Sequence, residues 1–254
     1  MSDRPLLTFA FSTMSDRIKN LRRPDFSEPH EVLVLVQNPK ELSYVLELPK
    51  VKLIELKSQG VAKSRNAALH HASGEFLIFG DDDITFRSDG VKTAVNYLQE
   101  HPECSIVLAQ AVDEDENLRK NYKKEVTPLK LSNSARAATY EMLVRVDAVK
   151  SAGIKFDENF GAGMENYLGD EYIFIADALR AGLTGVHLPV VVAMHPKESS
   201  GSRWGSDKDL SARAKIFTRI FGLKAPILRL AFLLKTKNQK PSFVKSLKFI
   251  FDKF

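Results

Sequence analysis

Short apolar runs alternate with stretches of helical composition through the first hundred residues, and this alternation limits the possible folds more than any other feature. Residues 6–12, 31–37, 51–56 and 75–79 read as buried strands, rich in Val, Leu, Ile or Phe and closed by polar or turn-forming residues. Residues 16–21, 60–72 and 90–100 read as helices. A parallel neighbour strand is reached only by a crossover, so strands separated by helices predict a mainly parallel sheet flanked by helices. Further strands over 105–109, 138–144 and 186–194 and a helix over 169–182 extend the pattern. Residues 111–135 are polar and aperiodic and read as a mobile loop. No repeat or low-complexity linker interrupts the 254 residues, so one continuous α/β body is expected.

The single cysteine, Cys104, excludes an intrachain disulfide framework and a multi-cysteine zinc site. No apolar run approaches the ~20 residues that cross a bilayer, and the first residues lack the apolar core of a secretion signal. A cytoplasmic protein is the expectation.

Charge is unevenly placed. Residues 205–254 hold 12 basic and 3 acidic side chains, a net +9, and the first 204 residues carry −4. The basic stretch is also apolar, with Phe, Leu and Ile recurring at spacings of three and four and with Pro226 and Pro241 dividing it into about three segments. Basic amphipathic helices of this kind lie in an anionic membrane surface. Residues 210–254 are therefore expected to hold the protein on the inner face of the cell membrane, the alternative being a helical cap on the body. A nucleic-acid-coating protein would carry its charge through the folded body, and a −4 body gives no such track, so no nucleic-acid partner is expected.

The strand over 75–79 runs through Gly80 into Asp81, Asp82 and Asp83. Three adjacent carboxylates repel one another unless something positive sits beside them. In open α/β sheets ligands bind at the carboxyl ends of strands, and oxygen-rich sites suit Mg²⁺ or Mn²⁺ bridged to substrate phosphates. This run predicts a metal–diphosphate site rather than a solvated acidic turn. Lys63 and Arg65, at the start of the preceding helix, are placed to meet phosphate. Asp170 and Glu171, at the start of an apolar helix, can provide one general base and one orienting group, although helix-start electrostatics alone would also favour acids there. Gly161 and Gly163 in Phe-Gly-Ala-Gly permit close backbone approach to a sugar. Trp204, the only tryptophan, follows Arg203 and reads either as part of a lid over the donor or as a loop anchor.

Together these residues resemble family 2 glycosyltransferases of the GT-A fold. The segment Gly60-Val61-Ala62-Lys63-Ser64-Arg65-Asn66 is similar to that family's Gly-x-Ala-x-x-Arg-Asn helix, and Asp81-Asp82-Asp83 to its D-x-D-type metal motif. The Phe-Gly-x-Gly loop and the following Gly-acid-acid helix match as well. The resemblance covers residues 5 to about 204 and implies a catalytic domain over 1–204, with a nucleotide-sugar half (1–100) and an acceptor half (101–204), followed by the tail of 205–254. It implies an inverting hexosyltransferase assisted by Mn²⁺ or Mg²⁺. Asp81, Asp83 and the late His195 are then the metal ligands. Ser12, Thr13, Gln37, Lys63, Arg65, Asp81, Asp82 and Arg203 contact the donor, expected to be a UDP-sugar, although Gln37 stands where many members carry Asp. Gly161, Gly163 and Trp204 fall on the acceptor side. Register places Glu171 at the family's base position, but the Asp170-Glu171 order inverts the usual pair, so the choice between the two stays open. With the basic tail, the resemblance implies a glycan or lipid-linked glycan acceptor in surface polysaccharide or lipopolysaccharide assembly. The alternative is a non-catalytic, membrane-associated nucleotide-sugar or carbohydrate-binding protein of the same fold. A nucleotidyltransferase or epimerase would need a Gly-rich loop after the first strand, and residues 8–17 have none.

Overall fold

A computed structural model describes residues 4–37, 51–197, 205–236 and 241–254. Its strands are β1 (Leu7–Met14), β2 (His30–Gln37), β3 (Val51–Leu56), β4 (Phe76–Asp81), β5 (Thr85–Phe86), β6 (Cys104–Val112), β7 (Thr127–Pro128), β8 (Met142–Arg145) and β9 (Thr184–Met194). Its helices are α1 (Val61–His71), α2 (Ser88–Glu100), α3 (Val146–Ser151), α4 (Asp170–Arg180), α5 (Asp207–Phe221), α6 (Ala225–Lys235) and α7 (Phe243–Phe251).

The strands form one sheet in the order β3-β2-β1-β4-β8-β6-β9-β5, with β7 pairing to β9. The long ladders, β1 with β2 and β4, β2 with β3 and β6 with β9, are parallel. The antiparallel ladders made by β5, β7 and β8 are two or three residue pairs long. Both faces are covered. Leu7, Phe9 and Phe11 of β1 turn towards the α2 side with Val91, Val95 and Leu98. Ala10 and Leu77 turn towards the opposite side, with Leu69 of α1, Val149 of α3 and Phe174 of α4. This alternation is the period-2 consequence of strand geometry, and burial on both faces explains why the strands read as continuous apolar runs. Because β8 sits between β4 and β6, the expected halves share one sheet and one core.

Several local expectations need correction. Residues 16–21 form only a 3₁₀ turn over Ile18–Asn20, ended before Pro24. Residues 138–144 begin with a second 3₁₀ turn, Thr139–Glu141, and the strand that follows is antiparallel. Residues 111–135 are irregular but tied down. Tyr122 donates to buried Glu141 at 2.6 Å, Lys120 pairs with Glu141 at 2.7 Å, and Arg119 donates to the Pro196 carbonyl. Cys104 is buried, and burial pushes its thiol pKa up, so it packs as an inert side chain.

The tail docks on the body. Ile216 and Ile220 of α5 pack with Phe160, Ile173 and Ala176, and Arg219 pairs with Asp157 and Asp177. Arg229 is buried among α5–α7, donating to Ala214 O (2.6 Å), Ile250 O (2.8 Å) and Thr218 Oγ1. The tail therefore caps the body, yet it leaves Leu223, Ile227, Leu230, Leu234, Phe243 and Phe251 exposed.

Candidate active site

Parallel register brings the carboxyl ends of three strands together. Ser12 lies opposite Asp81 on one side and Leu35 on the other, and Met14 lies opposite Gln37. These ends form one wall of a cleft of about 460 Å³, and the start of α1 with Ala162 and Gly163 forms the other. His195 joins from the far half because Met194, at the end of β9, pairs with Thr85 just past the aspartate run. Ser12, Thr13, Gln37, Arg65, Asp81, Asp82, Asp83, Gly163 and His195 all line this cleft.

The three aspartates separate by environment. Asp82 is buried and accepts from Thr13 Oγ1 at 2.7 Å, with Arg17 paired to its other oxygen. Desolvation pushes its carboxyl up, against the pull of Thr13 and Arg17. Asp81 keeps 40% of its side chain exposed to the cleft, yet it lies deep among protein atoms. That desolvation raises its pKa first, opposed by Arg65 and reinforced by the like charges of Asp83 and Glu171. Asp83 is partly exposed, 3.5 Å from Arg17 and 3.9 Å from His195 Nε2. The His195 ring stacks on Tyr140 with centroids 5.0 Å apart, and its Nδ1 lies 2.7 Å from the Pro196 carbonyl. A carbonyl only accepts, so Nδ1 carries the hydrogen and Nε2 presents a lone pair to the cleft. Among the described residues, no three His, Cys, Asp or Glu side chains form a ready-made metal cage.

Arg65 differs most from the sequence reading. Its guanidinium is buried at the wall of the cleft and is already held by carboxylates. It pairs with Asp170, lies 3.4 Å from Glu171 Oε1 and 3.9 Å from Asp81 Oδ2, and sits over the Phe156 ring. One planar cation thus touches an aspartate of the cleft and both acids of α4. Burial alone would lower its pKa, but the three carboxylates more than offset this. The two α4 acids are unequal. Asp170 is 2% exposed; desolvation and then Glu171's like charge push its pKa up against Arg65. Glu171 keeps 20% of its side chain exposed and accepts from Thr139 Oγ1 at 2.9 Å.

Other expected roles shift too. At Gly161 (φ +99°), an added Cβ would meet Val61 at 2.7 Å and the Asp170 carboxylate at 2.9 Å. That glycine makes room for the Asp170 carboxylate. Gly163 packs on Gly60 and faces the donor-side cleft rather than an acceptor. Lys63 is not among the residues lining the cleft. The α1 start is already in use: Gly60 N–H donates to Gln37 Oε1 at 2.9 Å, and Val61 N–H donates to the Ala162 carbonyl at 3.0 Å. Gln37 therefore offers a ligand its amide nitrogen. Arg203 and Trp204 lie outside the described residues.

Sequence reasoning missed Arg17, Thr139 and Asn66. Asn66 brackets the Phe156 backbone, donating to its carbonyl at 3.0 Å and accepting from its N–H at 2.8 Å. The Arg-Asn pair in the motif was the available signal for Asn66. Arg17 and Thr139 sit beside or within short 3₁₀ turns where the sequence reads a helix and a strand, and only the tertiary fold reveals their partners.

No curated protein matches the chain by sequence. Several solved structures share its fold. A crystal structure of S. aureus TarS superposes with a TM-score of 0.63 at 18% identity, covering 90% of this chain and 42% of that one. This chain thus spans less than half the length of that protein. S. aureus TarS 1–349 in complex with UDP-GlcNAc gives 0.62 at 17% identity, covering 96% and 70%. The same TarS segment with UDP gives 0.63 at 18%, covering 96% and 79%. Residues 17–160, more than half of the chain, match the family described as Glycosyl transferase family 2. By that match the chain belongs to glycosyl transferase family 2.

Proposed function

We propose that this protein is an inverting glycosyltransferase that moves a sugar from a nucleotide-diphosphate sugar to an acceptor hydroxyl at a membrane surface. One observation carries the reading: a single buried guanidinium, Arg65, touches both Asp81 of the cleft and the Asp170-Glu171 pair. A donor-holding site and a general base separated by only one side chain are what such a displacement needs.

The donor set fits a hard cation. Asp81, Asp83 and the His195 lone pair supply oxygen and imidazole ligands, and Mg²⁺ or Mn²⁺ commonly completes its shell with water and substrate phosphates. When bound there, Mn²⁺ or Mg²⁺ would neutralise charge on the leaving diphosphate. Arg17, half-exposed in the same cleft, adds a fixed positive charge to that end. The TarS complexes with UDP-GlcNAc and UDP support a UDP-sugar as donor, and the Gln37 amide can donate to a carbonyl oxygen of a pyrimidine base.

Glu171 acts as the base. It is the accessible member of the pair, held by Thr139 and Arg65, and Asp170 is consumed in fixing Arg65. The acceptor oxygen bonds to the anomeric carbon from the face opposite the diphosphate. The anomeric carbon–phosphate oxygen bond breaks, the diphosphate leaves with the electron pair, and the hydroxyl proton passes to Glu171. A single displacement of this kind inverts the anomeric centre.

The exposed apolar stripes of α6 and α7 carry Lys224, Lys235, Lys248 and Lys253 beside them, which supports docking on anionic lipid. The acceptor is then a glycan or lipid-linked glycan. The test is hydrolysis of a panel of nucleotide sugars with and without Mn²⁺, for the parent and for Asp83→Ala. Metal-dependent turnover that Asp83→Ala loses is expected. Binding without turnover of any donor would favour a non-catalytic protein of the same fold.

A further inference from the structure

Glu171 does not line the donor cleft itself but lines a second hollow. It is a groove of about 340 Å³ between the start of α4, residues 135–137 and helices α5 and α6, at the small end of the ~300–1,000 Å³ range of ligand pockets. Its walls are Leu168, Tyr172, Ile216, Phe217 and Phe232. The Tyr172 hydroxyl is turned outwards to the Leu131 carbonyl at 2.7 Å, so the wall receives the ring. Charged groups occupy only the margins. Glu171 stands at one end, exposed Arg136 is another lining residue, and Arg213 is held by Asp209 at 3.0 Å. Gly169 (φ +92°) makes the groove possible, because a Cβ there would stand 2.2 Å from Ile216 Cδ1 and push α5 away from α4.

An acceptor made only of sugar would meet few hydrogen-bonding partners on these walls. An apolar chain would fill them and leave a hydroxylated head beside Glu171. The groove also shares α6, through Phe232, with the opposite stripe of Ile227, Leu230 and Leu234. One helix thus carries both the stripe and a wall of the groove. Arg136 complements an anionic link between head and chain.

We propose that this groove is the acceptor subsite and that it binds the apolar portion of an amphiphilic acceptor, presenting a head-group hydroxyl to Glu171. The inference rests on the glycosyltransferase reading and makes the tail part of the active site.

The test measures binding of methyl, hexyl and octyl β-glucoside to the full chain by calorimetry below micelle concentrations. It compares the parent with Ala135→Trp, a change at an exposed position that fills the groove. Affinity is expected to rise by about fourfold for each methylene while the groove fills. Ala135→Trp is expected to weaken octyl glucoside at least tenfold and to leave its melting temperature unchanged. Affinity independent of chain length would overturn the proposal. So would octyl binding that survives Ala135→Trp but is lost in Phe243→Ser, which would place the chain on the outer face. A parent that sediments as a dimer, with octyl glucoside unable to compete, would assign the groove to a second copy and also overturn it. Donor hydrolysis by the parent without acceptor is measured separately, so that failure of the enzymatic reading is distinguished from failure of this one.

Discussion

Replacing Arg65 with Met removes the cation that Asp81, Asp170 and Glu171 share while preserving most of the side-chain volume. Removing one partner of a buried ion pair costs about 3–5 kcal/mol, because the other charge is left without compensation. Arg65 and Asp170 are both nearly sealed from water, with side chains 7% and 3% exposed, so a loss of about 3 kcal/mol at pH 7.5 is expected. At about 3 °C per kcal/mol for a chain of this size, the melting temperature should fall by about 9 °C. The loss should depend on pH. Asp170 is already raised by burial and by Glu171, and losing Arg65 raises it further. A carboxyl whose folded pKa exceeds its unfolded value contributes stability that is fully present below the unfolded pKa. That contribution is lost as pH rises through the folded pKa. Relative to the parent, the variant should therefore recover at pH 5.5, by up to about 1.4 kcal/mol for each pH unit over which Asp170 is protonated in the variant but still ionised in the parent. Thermal unfolding of both proteins at the two pH values is the assay. An equal fall at both, or no fall at pH 7.5, would refute the account of Arg65 as the counter-charge.

Glu171→Gln should lower the transfer rate by about 10²–10⁴-fold, the usual worth of a general base, with a melting temperature close to the parent's; a residual rate above a tenth of the parent's would move the base elsewhere. Asn66→Ala removes both bonds to the Phe156 backbone and should cost about 2 kcal/mol, measured as the shift in a urea midpoint. The double change Phe243→Ser with Phe251→Ser should abolish flotation with vesicles containing anionic lipid. Raising the salt from 0.1 to 0.5 M should weaken the parent's binding in the same assay; flotation unchanged by both would sink membrane docking by this face.

The strands and the aspartate run were legible because their signal is local. Residues 76–81 are apolar on both faces of the sheet and end abruptly in charge, and no partner has to be known to read that. Strand direction was less legible: nothing in the residues of β8 distinguishes a parallel neighbour from an antiparallel one. Arg65 was read as a phosphate ligand because a basic residue at a helix start ordinarily serves as one. Its actual partner, Asp170, lies 105 residues away, and the pairing exists only once α1 and α4 are packed on the same face. Gly161 is a related case. Its positive φ was predictable from its type, but the group needing the space, the Asp170 carboxylate, was not. The amphipathic tail was read both as membrane contact and as a cap. Its first helix, α5, packs on α4, and α6 and α7 pack on α5 while leaving stripes of their own exposed.

Adjacent residues on α1 fasten the body in two places: Arg65 to the acids of α4 and Asn66 to the backbone at Phe156. Opening the molecule like a clamshell would have to break both attachments at once. The framework is thus preorganised, its dipoles and charges aimed before substrate arrives, with little reorganisation left for the moment of bond exchange. A hinge between the two halves has no place along that seam while both attachments hold.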